Sequence, residues 1–135
     1  MTKSTRPGKI EDMLPLSPLQ EGLFFHALYD EAGPDVYTVQ RAIDVAGELD
    51  AEALRAAAEA LLRRHANLRV AFRHAGLSRP VQVVPRQVRL PWREVDLRSL
   101  ADADRDAEAE RFDPAKPPLV RFTLLGWPTT VTVRC

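Results

Sequence analysis

The stretch LLRRHANLRVAF, residues 61–72, joins two kinds of periodicity. Upstream, AEALRAAAEALLRRH (51–65) sets Leu54, Ala57, Ala58, Leu61 and Leu62 at helical spacing, and Asp50 is a good N-cap for that helix. Downstream, LRVAFRHAG (68–76) reads as a short strand. The helix therefore ends near His65. Arg63, Arg64 and His65 complement the negative end of its dipole. A catalytic histidine needs a reacting group within hydrogen-bond reach and a partner that fixes its tautomer. The sequence offers His65 neither, so it reads as part of the scaffold.

Outward from this joint the pattern alternates. SPLQEGLFFHALYD (17–30) predicts a helix, with Ser17 as N-cap, Pro18 at the first helical position and Gln20 where a capping box wants Glu or Gln. Leu19, Leu23, Phe24, Ala27 and Leu28 give it a broad apolar face, and His26 reads as half-buried. Gly33 and Pro34 break it. VYTVQRAIDVAG (36–47) predicts a strand with Tyr37, Val39, Ile43 and Val45 on alternate positions. After the 68–76 segment come a turn at Gly76–Pro80, a strand in PVQVVPR (80–86) and an extended segment in LPWREVDL (90–97). A polar helix is expected in SLADADRDAEAERF (99–112), a proline-rich break in DPAKPP, and a strong strand in LVRFTLL (119–125). The plan is mixed α/β, an α+β sandwich. Trp92 and Trp127 read as packing residues. The acidic run 102–110 lacks the glycine and ligand spacing of a calcium loop and reads as a solvated helix face.

The bulk composition narrows the function classes. The 135 residues suit one domain, and 45% hydrophobic content can fill a core. Nineteen basic and nineteen acidic side chains give zero formal charge, with no global pull toward nucleic acid or an anionic membrane. Zero charge also gives little protection against self-association. Cys135 stands alone, so there is no internal disulfide and no suggestion of a metal cluster. Residues 1–12 are polar and read as a flexible lead-in without a signal segment. No apolar run reaches membrane-spanning length, and a cytoplasmic protein is expected.

Three stretches together resemble one family. LPLSPLQEGLFFHALY (14–29) resembles the first core motif of the condensation domains of nonribosomal peptide synthetases. RRHANLRVAF (63–72) resembles their second, Arg-His-Glu-x-Leu-Arg-Thr-x-Phe, with Ala66 in place of Glu and Val70 in place of Thr. FDPAKPPLVRFTLL (112–125) resembles a further run of the same family. In the first motif Leu19 and Gly22 stand where Ala and Arg are commoner. The family's reaction-centre motif, His-His-x-x-x-Asp-Gly, has no counterpart: the three histidines are His26, His65 and His74, and no two are adjacent.

The resemblance implies the chloramphenicol acetyltransferase-like fold, two lobes in a V, of which residues 13–125 would supply most of the first. Intact domains form an amide when the acceptor amine attacks a donor thioester. Both substrates ride on phosphopantetheine arms of carrier proteins, and the domain itself binds no metal or redox cofactor. The implied partners are carrier proteins and other synthetase domains. Arg64 and Arg69 would help hold the reaction-centre loop, or else are surface charges. Gln20 is a capping residue or a group facing the substrate channel. Without the His-His motif the chain is expected to be inactive alone. The alternatives are a non-enzymatic docking module of a synthetase and one half of a split acyltransferase. The tail GWPTTVTVRC (126–135) departs from the family pattern and reads as the product of a shifted reading frame. Such a tail is expected to be poorly ordered, or to pair as an edge strand through its β-prone residues.

Overall fold

The computed structural model describes residues 9–29, 37–96, 111–126 and 130–134. Helix α1 (Pro18–Tyr29) starts where the sequence places its cap. Helix α2 (Ala51–Arg64) starts where the Asp50 carboxylate accepts the Ala53 N–H at 2.9 Å. A single 3-10 turn, Ala66–Arg69, then leads into the strands.

Seven strands form two sheets among the described residues. One is antiparallel, in the order β1 (Ile10–Pro15), β4 (Val81–Pro85), β3 (Ala71–Arg73). The other runs β2 (Gln40–Asp44), β7 (Thr130–Arg134), β6 (Arg121–Gly126), β5 (Trp92–Asp96). Its β5–β6 pair is parallel and the other two pairs are antiparallel. A parallel pair cannot be closed by a tight hairpin, so the chain between β5 and β6 must cross over. The helix expected over 99–112 falls in that crossover. Residues 99–110 lie outside the described residues, and 111–113 are irregular.

The core forms where α2 meets the second sheet. Ala58 and Leu62 of α2 pack with Leu90 and Val120, and Leu68, Val88, Trp92 and Phe122 close around them. Trp92 stacks on Phe122, with ring centroids 6.4 Å apart, so it packs as expected. Burying a leucine such as Leu62 stabilises by about 1.5–3 kcal/mol. A second apolar contact joins α1 to the first sheet: the Phe24 ring lies 5.7 Å from Phe72 and 5.4 Å from His74. The first sheet is tied to the 111–120 segment where the Phe72 N–H donates to the Pro114 carbonyl at 2.8 Å.

Several expectations need correcting. Residues 10–12 are not lead-in; they belong to β1, which pairs with β4 with a register irregularity at Glu11, between Ile10 and Asp12. Ala57 and Leu61 are exposed, because α2 buries only the narrower stripe of Ala58 and Leu62, with Leu54 half-buried. Strand β2 spans Gln40–Asp44 and not the whole of 36–47, so Tyr37, Val39 and Val45 lie outside it; Tyr37, Val39 and Ile43 are exposed and Val45 is half-buried. His26 is exposed and not half-buried. Strand β7 is not at an edge: it lies between β2 and β6 and is hydrogen-bonded to both. Trp127, Cys135 and residues 1–8 lie outside the described residues.

Candidate functional site

The 61–72 joint is built around Arg69, which is 4% exposed. Its Nη1 donates to the carbonyls of Leu62 (2.7 Å) and Arg63 (2.9 Å), two of the last acceptors of α2. Its Nε donates to the Pro85 carbonyl at the end of β4 (3.0 Å). Its Nη2 meets the Glu11 carboxylate of β1 at 2.6 Å. A helix leaves its final carbonyls without intrahelical partners. Here one planar guanidinium fills two of them and ties α2 to two strands. A lysine, with its donors on one atom, could not reach in all these directions. Arg69 is therefore not a surface charge, and these donors are turned to the scaffold.

His65 and Arg64 do something different. The His65 backbone ends α2, its N–H donating to the Leu61 carbonyl at 2.9 Å, while its own carbonyl accepts the Leu68 N–H at 3.1 Å. Both turns are therefore joined by the His65 main chain, and its side chain is exposed. The Arg64 side chain is also exposed.

Gln20 completes the capping box. The Ser17 N–H donates to Gln20 Oε1 at 2.8 Å, and the Gln20 N–H donates to Ser17 Oγ at 3.2 Å. The other end of the amide reaches β4: Gln20 Nε2 donates to Gln82 Oε1 at 3.4 Å, and Gln82 Nε2 donates to the Pro15 carbonyl at 2.9 Å. The cap thus also sets where α1 sits on the β1–β4 pair.

A third motif run folds on itself. The Arg121 guanidinium lies 4.2 Å above the Phe112 ring, and its Nη2 donates to the Arg111 carbonyl at 3.2 Å. Asp113 accepts the Ala115 N–H at 2.9 Å and pairs with Lys116 at 3.2 Å. The Ala115 hydrogen bond first, and Lys116 second, hold its carboxyl below the ordinary value of 3.8. The family run quoted from the sequence takes in Phe112, Asp113 and Arg121 without assigning them contacts, and sequence reasoning singled out neither Glu11 nor Gln82. Glu11 pairs across 58 positions, and nothing local in the sequence marks that partnership.

The structure does not gather the predicted residues into a reaction centre. Arg69, His65 and Arg64 share the end of α2, while Gln20 sits at the start of α1 against β4. His74 packs edge-on against Phe24, and His26 lies 5.9 Å from the Tyr37 ring. Among the described residues no group of three His, Cys, Asp or Glu side chains could hold a metal ion. No described helix is long and apolar enough to cross a membrane.

The sequence matches the family model of the condensation domain over residues 10–132. It is 42% identical over 125 residues to one of the linear gramicidin synthase proteins of Brevibacillus parabrevis, covering 86% of this chain and 2% of that protein. It is 32% identical over 124 residues to gramicidin S synthase 2 of Brevibacillus brevis, covering 85% of this chain and 3% of that one. The fold matches the first condensation domain of the calcium-dependent antibiotic synthetase with a TM-score of 0.73 at 18% identity, over 91% of this chain and 32% of that chain. The condensation domain of the monacolin K polyketide synthase MokA matches with a TM-score of 0.72 at 18% identity, over 94% and 30%. The architecture is thus the chloramphenicol acetyltransferase-like one, and the chain spans about a third of those solved domains. The family match also runs past Leu125 into β7, beyond the last of the three motif stretches. With the match extending through both sheets, this chain belongs to the condensation-domain family.

Proposed function

We propose that the chain is part of a condensation domain of nonribosomal peptide synthesis, and that it forms no amide bond by itself. The observation that carries this reading is the family match over residues 10–132, joined to a sequence without a His-His pair. In the complete domain the donor and acceptor would arrive as thioesters on the phosphopantetheine arms of carrier proteins. Those carriers, with neighbouring synthetase domains, are the partners, and the cytoplasm is the compartment. Amide formation needs two substrates held in register and a group to take up the amine proton. His26, His65 and His74 do not match the family's reaction centre: each is exposed, and none has a second histidine beside it in the sequence. Arg69 and Gln20 contribute by fixing the scaffold on which the rest of the domain is built. Arg64, exposed beside the brace, is the residue left to reach a reaction-centre loop.

A second reading, half of a split acyltransferase, is favoured by α1, whose Leu19 and Tyr29 are 73% and 76% exposed and suit a further protein layer. Loaded donor and acceptor carriers are mixed with the pure chain and the product is followed by mass spectrometry. No dipeptidyl thioester above the protein-free rate is expected, and its appearance would overturn inactivity. Residues 10–132 are also exchanged into an intact homologous condensation domain. Retained amide formation supports the family function, and a folded but inactive chimera counts against it.

A further inference from the structure

Helix α2 and the segment 86–90 enclose a groove of about 350 Å³. Its charged lining is Arg55, Arg63, Arg69, Arg86 and Arg89 against the single carboxylate Glu59. Part of this charge is already used. Arg69 is paired with Glu11, Arg55 lies 3.6 Å from Glu59, and Arg86 has a partner of its own. Arg63 and Arg89 are both exposed on this groove, one from each wall.

A chain of zero formal charge has thus drawn five guanidinium groups to one cleft. Like charges there repel one another, and low-dielectric walls focus their field; Leu62 and Leu90, which also line the groove, are buried side chains. A bound anion relieves that repulsion. The guanidinium fork matches the spacing of phosphate oxygens and can donate to two of them at once. The volume is at the small end of ligand sites, which favours a small molecule over a folded acidic surface.

We propose that this groove binds a small phosphate-bearing molecule, with Arg63 and Arg89 holding the phosphate oxygens and Arg55 and Arg86 at the rim. The groove shares Arg69, Leu62 and Arg63 with the brace, but there Leu62 and Arg63 act through main-chain carbonyls and the Arg69 donors are directed at carbonyls and Glu11, so the Arg63 and Arg89 guanidinium groups have no part in it. It therefore stands or falls apart from the functional reading above.

The test is a titration of the nitrogen-15-labelled 135-residue chain with sodium pyrophosphate, at ionic strength held constant with sodium chloride. Saturable amide shifts confined to Arg63 and the 86–90 segment are expected. The double variant Arg63→Gln/Arg89→Gln should bind about tenfold more weakly, as expected for the loss of charge-assisted hydrogen bonds. The variant Arg41→Gln/Arg79→Gln removes the same charge from exposed positions outside the groove and should stay within roughly twofold. Shifts that do not saturate, that centre elsewhere in the wild-type chain, or that weaken equally in both variants overturn the site.

Discussion

Replacing Arg69 tests whether one buried guanidinium holds the helix-to-strand joint. Arg69→Ala removes donors to the Leu62, Arg63 and Pro85 carbonyls and strands the Glu11 carboxylate. Removing one partner of a buried ion pair costs about 3–5 kcal/mol. This pair is asymmetric: the Arg69 side chain is 5% exposed and that of Glu11 is 41%. Glu11 can therefore recover much of its hydration, and its share of the loss is small. The three carbonyls weigh more, because hydrogen bonds to charged donors are worth about 1.5–3 kcal/mol each and Leu62 lies in the core. Partial rehydration of the carbonyls keeps the sum from being additive, so about 3–5 kcal/mol is expected for Arg69→Ala.

A domain of this kind has about 5–15 kcal/mol in all, so the alanine variant sits near the edge of folding. Two milder variants keep the reasoning open to refutation. Arg69→Lys retains the charge but places its donors on one atom, and should cost about 2 kcal/mol. Glu11→Gln keeps an acceptor at the exposed end of the pair, and should cost at most about 1 kcal/mol. Urea unfolding followed by far-ultraviolet circular dichroism gives each value, provided the slope is unchanged. Arg69→Ala or Arg69→Lys within about 0.5 kcal/mol of wild type, the range of ordinary surface substitutions, would refute the brace. So would Glu11→Gln costing as much as Arg69→Lys, since the ion pair and not the carbonyls would then dominate.

Four further outcomes are expected. Ser17→Ala should cost about 0.5–2 kcal/mol by breaking the reciprocal cap of α1, and Gln20→Ala should cost at least as much because Gln82 also loses its partner; both are read from urea midpoints. His65→Ala should fall within about 0.5 kcal/mol, because its backbone makes the turn and its side chain is exposed, whereas a helix-end charge role would show a larger loss in the same melts. Asp113 has a folded pKa below its ordinary 3.8, so its contribution is present above that value and disappears as pH falls through the lower folded one; Asp113→Asn should flatten the stability profile only in that acid window. The isolated chain should self-associate with rising concentration, since Leu19, Phe25, Tyr29 and Ile43 are exposed and net charge is zero; concentration-independent light scattering from a clean monomer counts against this.

Much of this architecture was legible because local chemistry agreed with the fold. Ser17 and Gln20 announce α1, Asp50 announces α2, and the capping hydrogen bonds form between those same groups. The inner stripe of α2 was legible in part: Ala58 and Leu62 are inside, but Leu61, one residue round the helix, is outside. Periodicity tells which residues share a face and not how wide a stripe the neighbouring sheet will cover. The strand β1 was missed for a related reason. All six of its residues are exposed, so IEDMLP carries no inside–outside alternation, and its place is set by pairing with β4 some seventy positions away.

The candidate site divides along the same line. Gln20 was readable because its cap is local, three residues from Ser17. Arg69 was noticed through its motif, but its role was not, because its acceptors are main-chain carbonyls, which every residue carries and no sequence distinguishes. His65 drew attention through its chemistry, yet its contribution is made by backbone atoms that many residues could supply. The tail shows the converse. The tail was expected to be poorly ordered or to pair as an edge strand; Thr130–Arg134 form a strand, but an inner one, since propensity says nothing about neighbours on either side. What places β7 between β2 and β6 is a chain of pairings: Ile43 with Val131, and Val131 in turn with Leu124. The first of them joins segments more than eighty positions apart. Such a register becomes readable only when the whole sheet is assembled, which is why the joints of this fold were visible in the sequence and its partnerships were not.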